Sequence, residues 1–162
     1  KIVGNEIYLL HPGAVTVEML SLMCDKVLID KAVTEKFDGV PLAPGMKYRH
    51  YAPKGDLTIF EGDMETVTKR VRESALLKQK EGYRVAVLAS VETKDCYDGL
   101  YVLCVGDRDD EEGIAANLFD TLREFDHMGA EFIFGECFKT DGVGQAIMNR
   151  LIKAAGYHIV KV

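Results

Sequence analysis

The chain has 162 residues, of which 48% are hydrophobic and 28% are charged, and its formal net charge at neutral pH is −6. This length is sufficient for one ordinary domain with an appendage, but not for two full domains. The acidic balance argues against a general nucleic-acid binder, because phosphate contacts need clustered lysine and arginine. No apolar run is long enough to span a bilayer and the start has no signal-peptide pattern, so we expect a cytoplasmic globular protein.

The four cysteines are scattered along the chain and form no C-x-x-C pair. They are Cys24, Cys96, Cys104 and Cys137. No histidine stands at metal-ligand spacing from them, so we predict buried or unreactive thiols in a reducing compartment and no metal site.

The first 56 residues differ in character from the rest. The run EIYLL predicts a strand that needs a partner, and the chain begins with Lys1, so we expect a piece of a larger protein. Prolines at positions 12, 41, 44 and 53 disfavour helix and central strand. We predict that residues 1–30 end another domain and that residues 31–56 form an extended linker.

From Leu57 onward, short apolar runs alternate with helical stretches that end in glycine, which is the pattern of βαβ units. The runs LTIF, YRVAVLA, YVLCV, EFIF and YHIV predict strands, and Gly82, Gly129 and Gly156 precede three of them. The first helix is predicted to begin near Asp63. Its buried face is predicted to carry Met64, Val67, Val71 and Ala75.

The next helix is predicted to begin at Asp109 with a capping box to Glu112. Its predicted stripe is Ile114, Leu118, Leu122 and Phe125, and the last helix, 141–155, is predicted to bury Ile147 and Leu151. Together these elements predict a Rossmann-like, three-layer α/β domain over 57–162, with a mostly parallel sheet of about five strands. The link SVETKDCYDG is short for a parallel crossover, so it predicts either a short helix or a reversed strand.

The linker carries the most informative motif, PGMKYRHYAPK, because it is a cationic segment in an acidic chain. Its cations and aromatic residues are Lys47, Tyr48, Arg49, His50, Tyr51 and Lys54. Flat aromatic faces beside positive charges suit a nucleotide or another anion. The alternative is a linker that packs its tyrosines on a neighbouring domain and leaves its charges in water.

A second candidate is an anion site in KTDGVGQAIMNRL, where Gly142 and Gly144 precede a helix whose N–H groups could hold phosphate. Asn149 and Arg150 follow on that helix. The alternative is a tight turn with close helix packing, because the fuller dinucleotide fingerprint is absent. The run VGDRDDEEG is acidic and favours a capped helix start. The chain contains no P-loop, zinc-protease or serine-hydrolase motif, and we predict no catalytic residue in it.

Four stretches in this order, HPGAVT, PGMKYRHYAPK, NLFDTLREFD and GVGQAIMNRLIKAAG, resemble the long form of threonylcarbamoyl-AMP synthase. In that family a YrdC-like catalytic domain precedes a Sua-type C-terminal domain. The resemblance implies a parent enzyme, a nucleotidyltransferase, that makes threonylcarbamoyl-AMP from L-threonine, bicarbonate or CO2, and ATP with Mg2+. A partner complex then transfers the threonylcarbamoyl group to tRNA.

For this chain, the resemblance implies that residues 1–30 end the catalytic domain, that the linker covers its active site, and that 57–162 form the accessory domain. Tyr48, Arg49, His50 and Tyr51 would cover the substrates, with Lys47 and Lys54 adding positive field. His11 stands where the family commonly has arginine, which implies a weak nucleotide contact at most. The chain alone would be inactive. Two other hypotheses stay open: an independent nucleotide-binding regulatory domain, and a structural module for docking or homodimerisation.

Overall fold

The computed structural model describes residues 1–34 and 52–162, so Lys47, Tyr48, Arg49, His50 and Tyr51 of the predicted linker motif lie outside the described residues. The N-terminal region is a small sheet with two short helices. Its elements are β1 (Ile2–Val3), β2 (Glu6–Leu9), α1 (Val17–Ser21), β3 (Lys26–Ile29) and α2 (Lys31–Thr34). Strand β2 pairs antiparallel with β1 and parallel with β3, so the predicted strand EIYLL has partners on both sides.

The second unit is a five-stranded sheet with helices on both faces. Its strands are β4 (Asp56–Glu61), β5 (Val85–Ala89), β6 (Tyr101–Cys104), β7 (Phe132–Glu136) and β8 (Ile159–Lys161). Its helices are α3 (Met64–Lys80), α4 (Glu111–His127) and α5 (Gly144–Ala154). The strand order is β6-β5-β7-β4-β8 and every pair is parallel, which confirms the predicted Rossmann-like fold.

Each face of this sheet has its own core. Helices α4 and α5 cover one face, and the predicted stripe of α4 is buried there together with Ile147 and Leu151. Helix α3 covers the other face with Val67, Val71 and Ala75. Because both faces are covered, all five residues of β5 are buried, which explains its uninterrupted apolar sequence.

Three glycines end helices in the left-handed conformation, as predicted. The φ angles of Gly82, Gly129 and Gly156 are 92°, 65° and 59°. These positive values avoid the steric penalty that a Cβ would introduce, so the chain can leave each helix and enter the next strand within a few residues.

The short link between β5 and β6 contains a single 3-10 turn, Lys94–Cys96, and β6 remains parallel to β5. Residues 90–100 suffice for this crossover because the two strands are neighbours in the sheet. Tyr97 is 1% exposed and packs into the α3 core, so one buried side chain fills the space that a longer helix would cover.

Several details differ from the predictions. Met64 is 49% exposed, because it is the first residue of α3 and the buried stripe begins one turn later. Helix α4 is capped by Asp110, whose carboxylate accepts from the Gly113 N–H, so the predicted Asp109–Glu112 capping box is wrong by one residue. Helix α5 begins at Gly144, three residues later than predicted.

Two further observations concern the cysteines and the linker. All four cysteines are free; Cys24 and Cys137 are partly buried, and Cys96 and Cys104 are exposed. The predicted linker, 31–56, begins with the helical residues Lys31–Thr34, and Asp56 is the first residue of β4. Within the described parts of the chain, no helix combines the length and apolar character needed to cross a membrane.

Candidate functional site

Of the cations and aromatic residues of the predicted motif, the structure describes Lys54. Its backbone N–H donates to a carboxylate oxygen of Asp126 at 2.6 Å, near the end of α4. The side chains of Lys54, Arg84, Asp126 and Glu131 border a shallow pocket of about 350 Å3. Asp56 also lines the pocket, so two positive residues face three negative ones and the pocket has no excess of positive charge to attract an anion.

The backbone after Lys54 is tightly packed. Gly55 is buried, and a Cβ at this position would come within 3.0 Å of the backbone carbonyl oxygen of Ala130. The Asp56 N–H then donates to the carbonyl oxygen of Glu131 at 2.9 Å, and β4 begins. The end of the predicted linker is therefore fixed by backbone contacts to the turn between α4 and β7.

His11 lies in the N-terminal region, between β2 and α1. Its ring nitrogen Nδ1 is 2.8 Å from the carbonyl oxygen of Pro12, the next residue. The side chain is exposed. This local contact leaves the ring accessible from the protein surface, and the predicted weak nucleotide contact stays a prediction.

The N-terminus of α5 already has an anionic partner. The Gly144 N–H donates to a carboxylate oxygen of Glu111 at 2.9 Å. Gly142 has a φ of 53°, a backbone conformation that glycine adopts without steric cost in the turn before the helix. A Cβ at Gly144 would come within 3.0 Å of the Lys139 carbonyl oxygen. A phosphate at this helix start would have to displace Glu111. Gly142 allows the tight turn and Gly144 allows close packing against Lys139, as in the alternative interpretation of these glycines.

The other two residues of this candidate contact backbone carbonyl groups elsewhere in the chain. Asn149 is 4% exposed, and its amide nitrogen donates to the carbonyl oxygen of Val33 at 2.6 Å. Arg150 is exposed, and its guanidinium lies 3.4 Å from the carbonyl oxygen of Ala115 on α4. The described contacts of Asn149 and Arg150 are with Val33 and Ala115, and the anion site predicted at Gly142, Gly144, Asn149 and Arg150 stays a prediction.

A buried polar network lies at the carboxyl end of the five-stranded sheet. Glu136, the last residue of β7, is 0% exposed and accepts hydrogen bonds from Thr93 and, at 2.8 Å, from the Tyr97 hydroxyl. Arg108 forms an ion pair with the same carboxylate. Burial and the charge of Glu136 raise the pKa of Tyr97 above its ordinary value, which keeps the hydroxyl protonated as a donor.

Arg108 has no free guanidinium nitrogen for a ligand. Besides the pair with Glu136, Nε donates to the Ser90 hydroxyl at 3.1 Å and Nη1 donates to the Cys137 carbonyl oxygen at 3.1 Å. The guanidinium also lies 5.0 Å from the ring centroid of Phe138. The network is satisfied internally, so it can lock β5, β6 and β7 together but offers little to a substrate.

The comparisons with known proteins give the family. The family model for the C-terminal domain of threonylcarbamoyl-AMP synthase matches residues 15–156. The chain belongs to this family. The threonylcarbamoyl-AMP synthase of Bacillus subtilis is 40% identical over 153 residues, covering 94% of this chain and 43% of the relative. That of Pyrococcus abyssi is 39% identical over 154 residues, covering 95% and 44%. The chain thus spans less than half the length of these curated relatives.

Solved structures agree with the synthase family and its fold. The crystal structure of P. abyssi Sua5 complexed with L-threonine has a TM-score of 0.84 at 38% identity, over 96% of this chain and 44% of that chain. A P. abyssi Sua5 variant with an adjacent histidine and tyrosine both changed to alanine has a TM-score of 0.84 at 37% identity, over 96% and 43%. The C-terminal Sua5 domain from Pyrococcus horikoshii gives 0.54 at 32% identity, over 68% of this chain and all of that domain.

Sequence reasoning missed the buried network of this synthase domain. It assigned VGDRDDEEG to a capped helix start, which is correct for Asp110, but it gave no role to Arg108. The available signal was the position of charged residues near the carboxyl ends of apolar strands, with Glu136 as the last residue of β7 and Arg108 shortly after β6. Those positions meet at one end of a parallel sheet, although the strand order that brings them together is not apparent from the sequence.

Proposed function

We propose that this chain is the C-terminal accessory domain and active-site-covering linker of an L-threonylcarbamoyladenylate synthase. The parent enzyme makes threonylcarbamoyl-AMP and pyrophosphate from L-threonine, bicarbonate or CO2, and ATP. The product serves threonylcarbamoyladenosine modification of tRNA in the cytoplasm, through a separate transferase complex. The catalytic groups belong to a domain upstream of Lys1, so the chain alone is inactive.

The observation that carries this proposal is the continuous family match over residues 15–156, which includes the whole cationic motif. The P. abyssi relative solved with L-threonine supports threonine as the amino-acid substrate. The other P. abyssi structure has a neighbouring histidine and tyrosine replaced by alanine, and this chain has a histidine followed by a tyrosine at one place, His50–Tyr51. This similarity supports a functional role for the pair.

The reaction explains why a cationic aromatic segment is useful. A threonine carbamate attacks the α-phosphate of ATP, and negative charge builds up on phosphate oxygens that need positive donors nearby. Arg49, with Lys47 and Lys54, can supply that charge, while Tyr48 and Tyr51 exclude water from the labile carbamate and adenylate. Mg2+ would arrive with ATP.

A docking role is the second candidate, and exposed apolar residues in the N-terminal region favour it. Met19, Leu22 and Met23 are 53%, 89% and 81% exposed on and beside α1. Large apolar side chains that are exposed this close together in the sequence are typical of protein interfaces. A chain that only docked would tolerate changes in the cationic motif without loss of turnover.

The test measures pyrophosphate release by the complete synthase with ATP, L-threonine and bicarbonate. We expect Arg49→Ala and Tyr51→Ala each to lower kcat by about 10- to 100-fold, as the loss of a charge-stabilising or water-excluding group does. Arg70→Ala on α3 and Tyr101→Ala on β6 are the matched controls, because both side chains are about half exposed. The isolated chain should release no pyrophosphate. Wild-type rates for both motif variants would contradict the covering role and leave the docking role.

A further inference from the structure

The accessory domain contacts the chain on both sides of residues 35–51. Before this segment, the carbonyl oxygen of Val33 accepts from the buried amide of Asn149 on α5. After it, the N–H of Lys54 donates to Asp126 on α4. These two contacts come from neighbouring helices on the same face of the sheet, and together they fix the two ends of the segment.

The contact between Asn149 and Val33 is a buried hydrogen bond between distant parts of the chain. Val33 and Asn149 are each 4% exposed, and their hydrogen bond joins residues 116 positions apart. The Asn149 side-chain oxygen is buried without a hydrogen-bond partner among the described residues. An asparagine that leaves one polar atom unsatisfied is costly on a helix that otherwise packs apolar residues, so packing within the domain does not account for it.

The second contact is more rigid because Gly55 reinforces it. Any residue other than glycine would place its Cβ against the backbone carbonyl of Ala130, and a backbone atom cannot rotate away as a side chain can. Pro53, just before Lys54, is buried and has a restricted φ. The chain therefore leaves the domain at a fixed place and with a fixed direction.

We propose that Asn149, Asp126 and Gly55 are positioning residues through which the accessory domain anchors the chain on both sides of residues 35–51. The inference rests on the proposed function, because the positioned residues are those of the cationic motif. The anchor at Lys54 and Gly55 should restrict the cationic motif more than the anchor at Val33, because fewer residues separate it from the motif. Tyr51 is three positions from Lys54 in the sequence, whereas Lys47 is fourteen positions from Val33.

The test compares two glycines at opposite ends of β4 in the complete synthase. Gly55→Ala and Gly62→Ala both place a Cβ against a backbone carbonyl oxygen, that of Ala130 and that of Val162, but only Gly55 adjoins the segment. We expect Gly55→Ala to lower kcat by about 10- to 100-fold, since a misplacement of about 1 Å can have that effect, and Gly62→Ala to leave it near wild type. Rates are compared below the melting transition of each variant.

Asp126→Ala and Asn149→Ala test the same proposal without a steric clash. Asp120→Ala is the control on α4, and Asn117→Ala is the control that removes another asparagine-to-carbonyl bond, the 3.1 Å contact with Val105. We expect a larger loss of kcat for Asp126→Ala than for Asn149→Ala, with both controls unchanged. Trypsin should also cut after Lys47 and Arg49 several-fold faster in the Gly55, Asp126 and Asn149 variants than in wild type.

The outcomes separate this inference from the proposed function. If Tyr51→Ala lowers turnover while Gly55→Ala and Asp126→Ala behave like their controls, the proposed anchoring is wrong and the covering role stands. If Tyr51→Ala has wild-type turnover, the covering role is wrong, and the rate of trypsin cleavage alone tests the proposed anchoring. Cleavage at the wild-type rate in all three variants would overturn it.

Discussion

The two ends of the five-stranded sheet differ in what their polar groups contact. In open α/β folds, ligands bind at the carboxyl ends of strands, at the place where successive connections leave the sheet in opposite directions. Here that place lies between β5, which leads to β6, and β7, which leads to β8. It is filled by Glu136 and Arg108, whereas the amino end of the sheet receives the linker at Lys54 and Gly55.

This difference concerns how the domain uses a type of fold that binds nucleotides in other proteins. Carboxylates occupy two positions where the fold would otherwise accept a phosphate: Glu136 at the strand ends and Glu111 at the start of α5. The negative charge of Glu111 opposes anion binding, and Glu136 occupies the Arg108 guanidinium that could otherwise bind an anion. The domain can instead supply rigidity at one end and a fixed attachment for the linker at the other.

The largest effect is expected from removing the buried charge at the carboxyl end. Glu136→Ala leaves Arg108 without its partner, and breaking a buried pair in this way costs about 3–5 kcal/mol. Glu73→Ala is the control, because it removes a carboxylate from an exposed pair with Arg70, which contributes about 0.5 kcal/mol or less. Urea denaturation of the purified chain measures both. Equal losses would mean that the network does not lock the strands.

How much of this arrangement the sequence predicts depends on the distance between interacting residues. The glycine-ended helices and the buried stripe of α4 follow from neighbours three or four residues apart, and the structure confirms them. Glu136 is 39 residues from Tyr97 and 28 from Arg108, and they meet only because β7 lies beside β5. The contact between Asn149 and Val33 joins residues 116 positions apart, so no local sequence pattern predicts it.

An intermediate effect, which also depends on pH, is expected at Tyr97. Tyr97→Phe removes a hydrogen bond to a charged group, which costs about 2 kcal/mol near neutral pH. Burial and the Glu136 charge raise the pKa of Tyr97 above 10.0, so the folded state holds this proton more tightly than the unfolded state does. That contribution is complete below about pH 10 and is lost as the pH rises further.

The free energy of unfolding should therefore fall less steeply above pH 10 in Tyr97→Phe than in wild type. Denaturation series at several alkaline pH values measure this slope. Tyr101→Phe is the control, since Tyr101 is 47% exposed on β6. A Tyr97→Phe slope identical to that of wild type would show that the Tyr97 hydroxyl does not sense Glu136.

The smallest effect on stability is expected at the start of α5. The same position also allows a test of whether the carboxyl end of the sheet binds a ligand. Glu111→Gln keeps a side-chain acceptor for the Gly144 N–H but removes its charge, so the loss of stability should be about 1 kcal/mol or less. Because wild-type Glu111 already occupies this position, calorimetry of the chain with ATP, AMP or pyrophosphate should show no saturable binding. Saturable binding that disappears in a folded Gly144→Asp variant would reverse the comparison, because the domain would then bind a nucleotide at the end assigned here to rigidity alone.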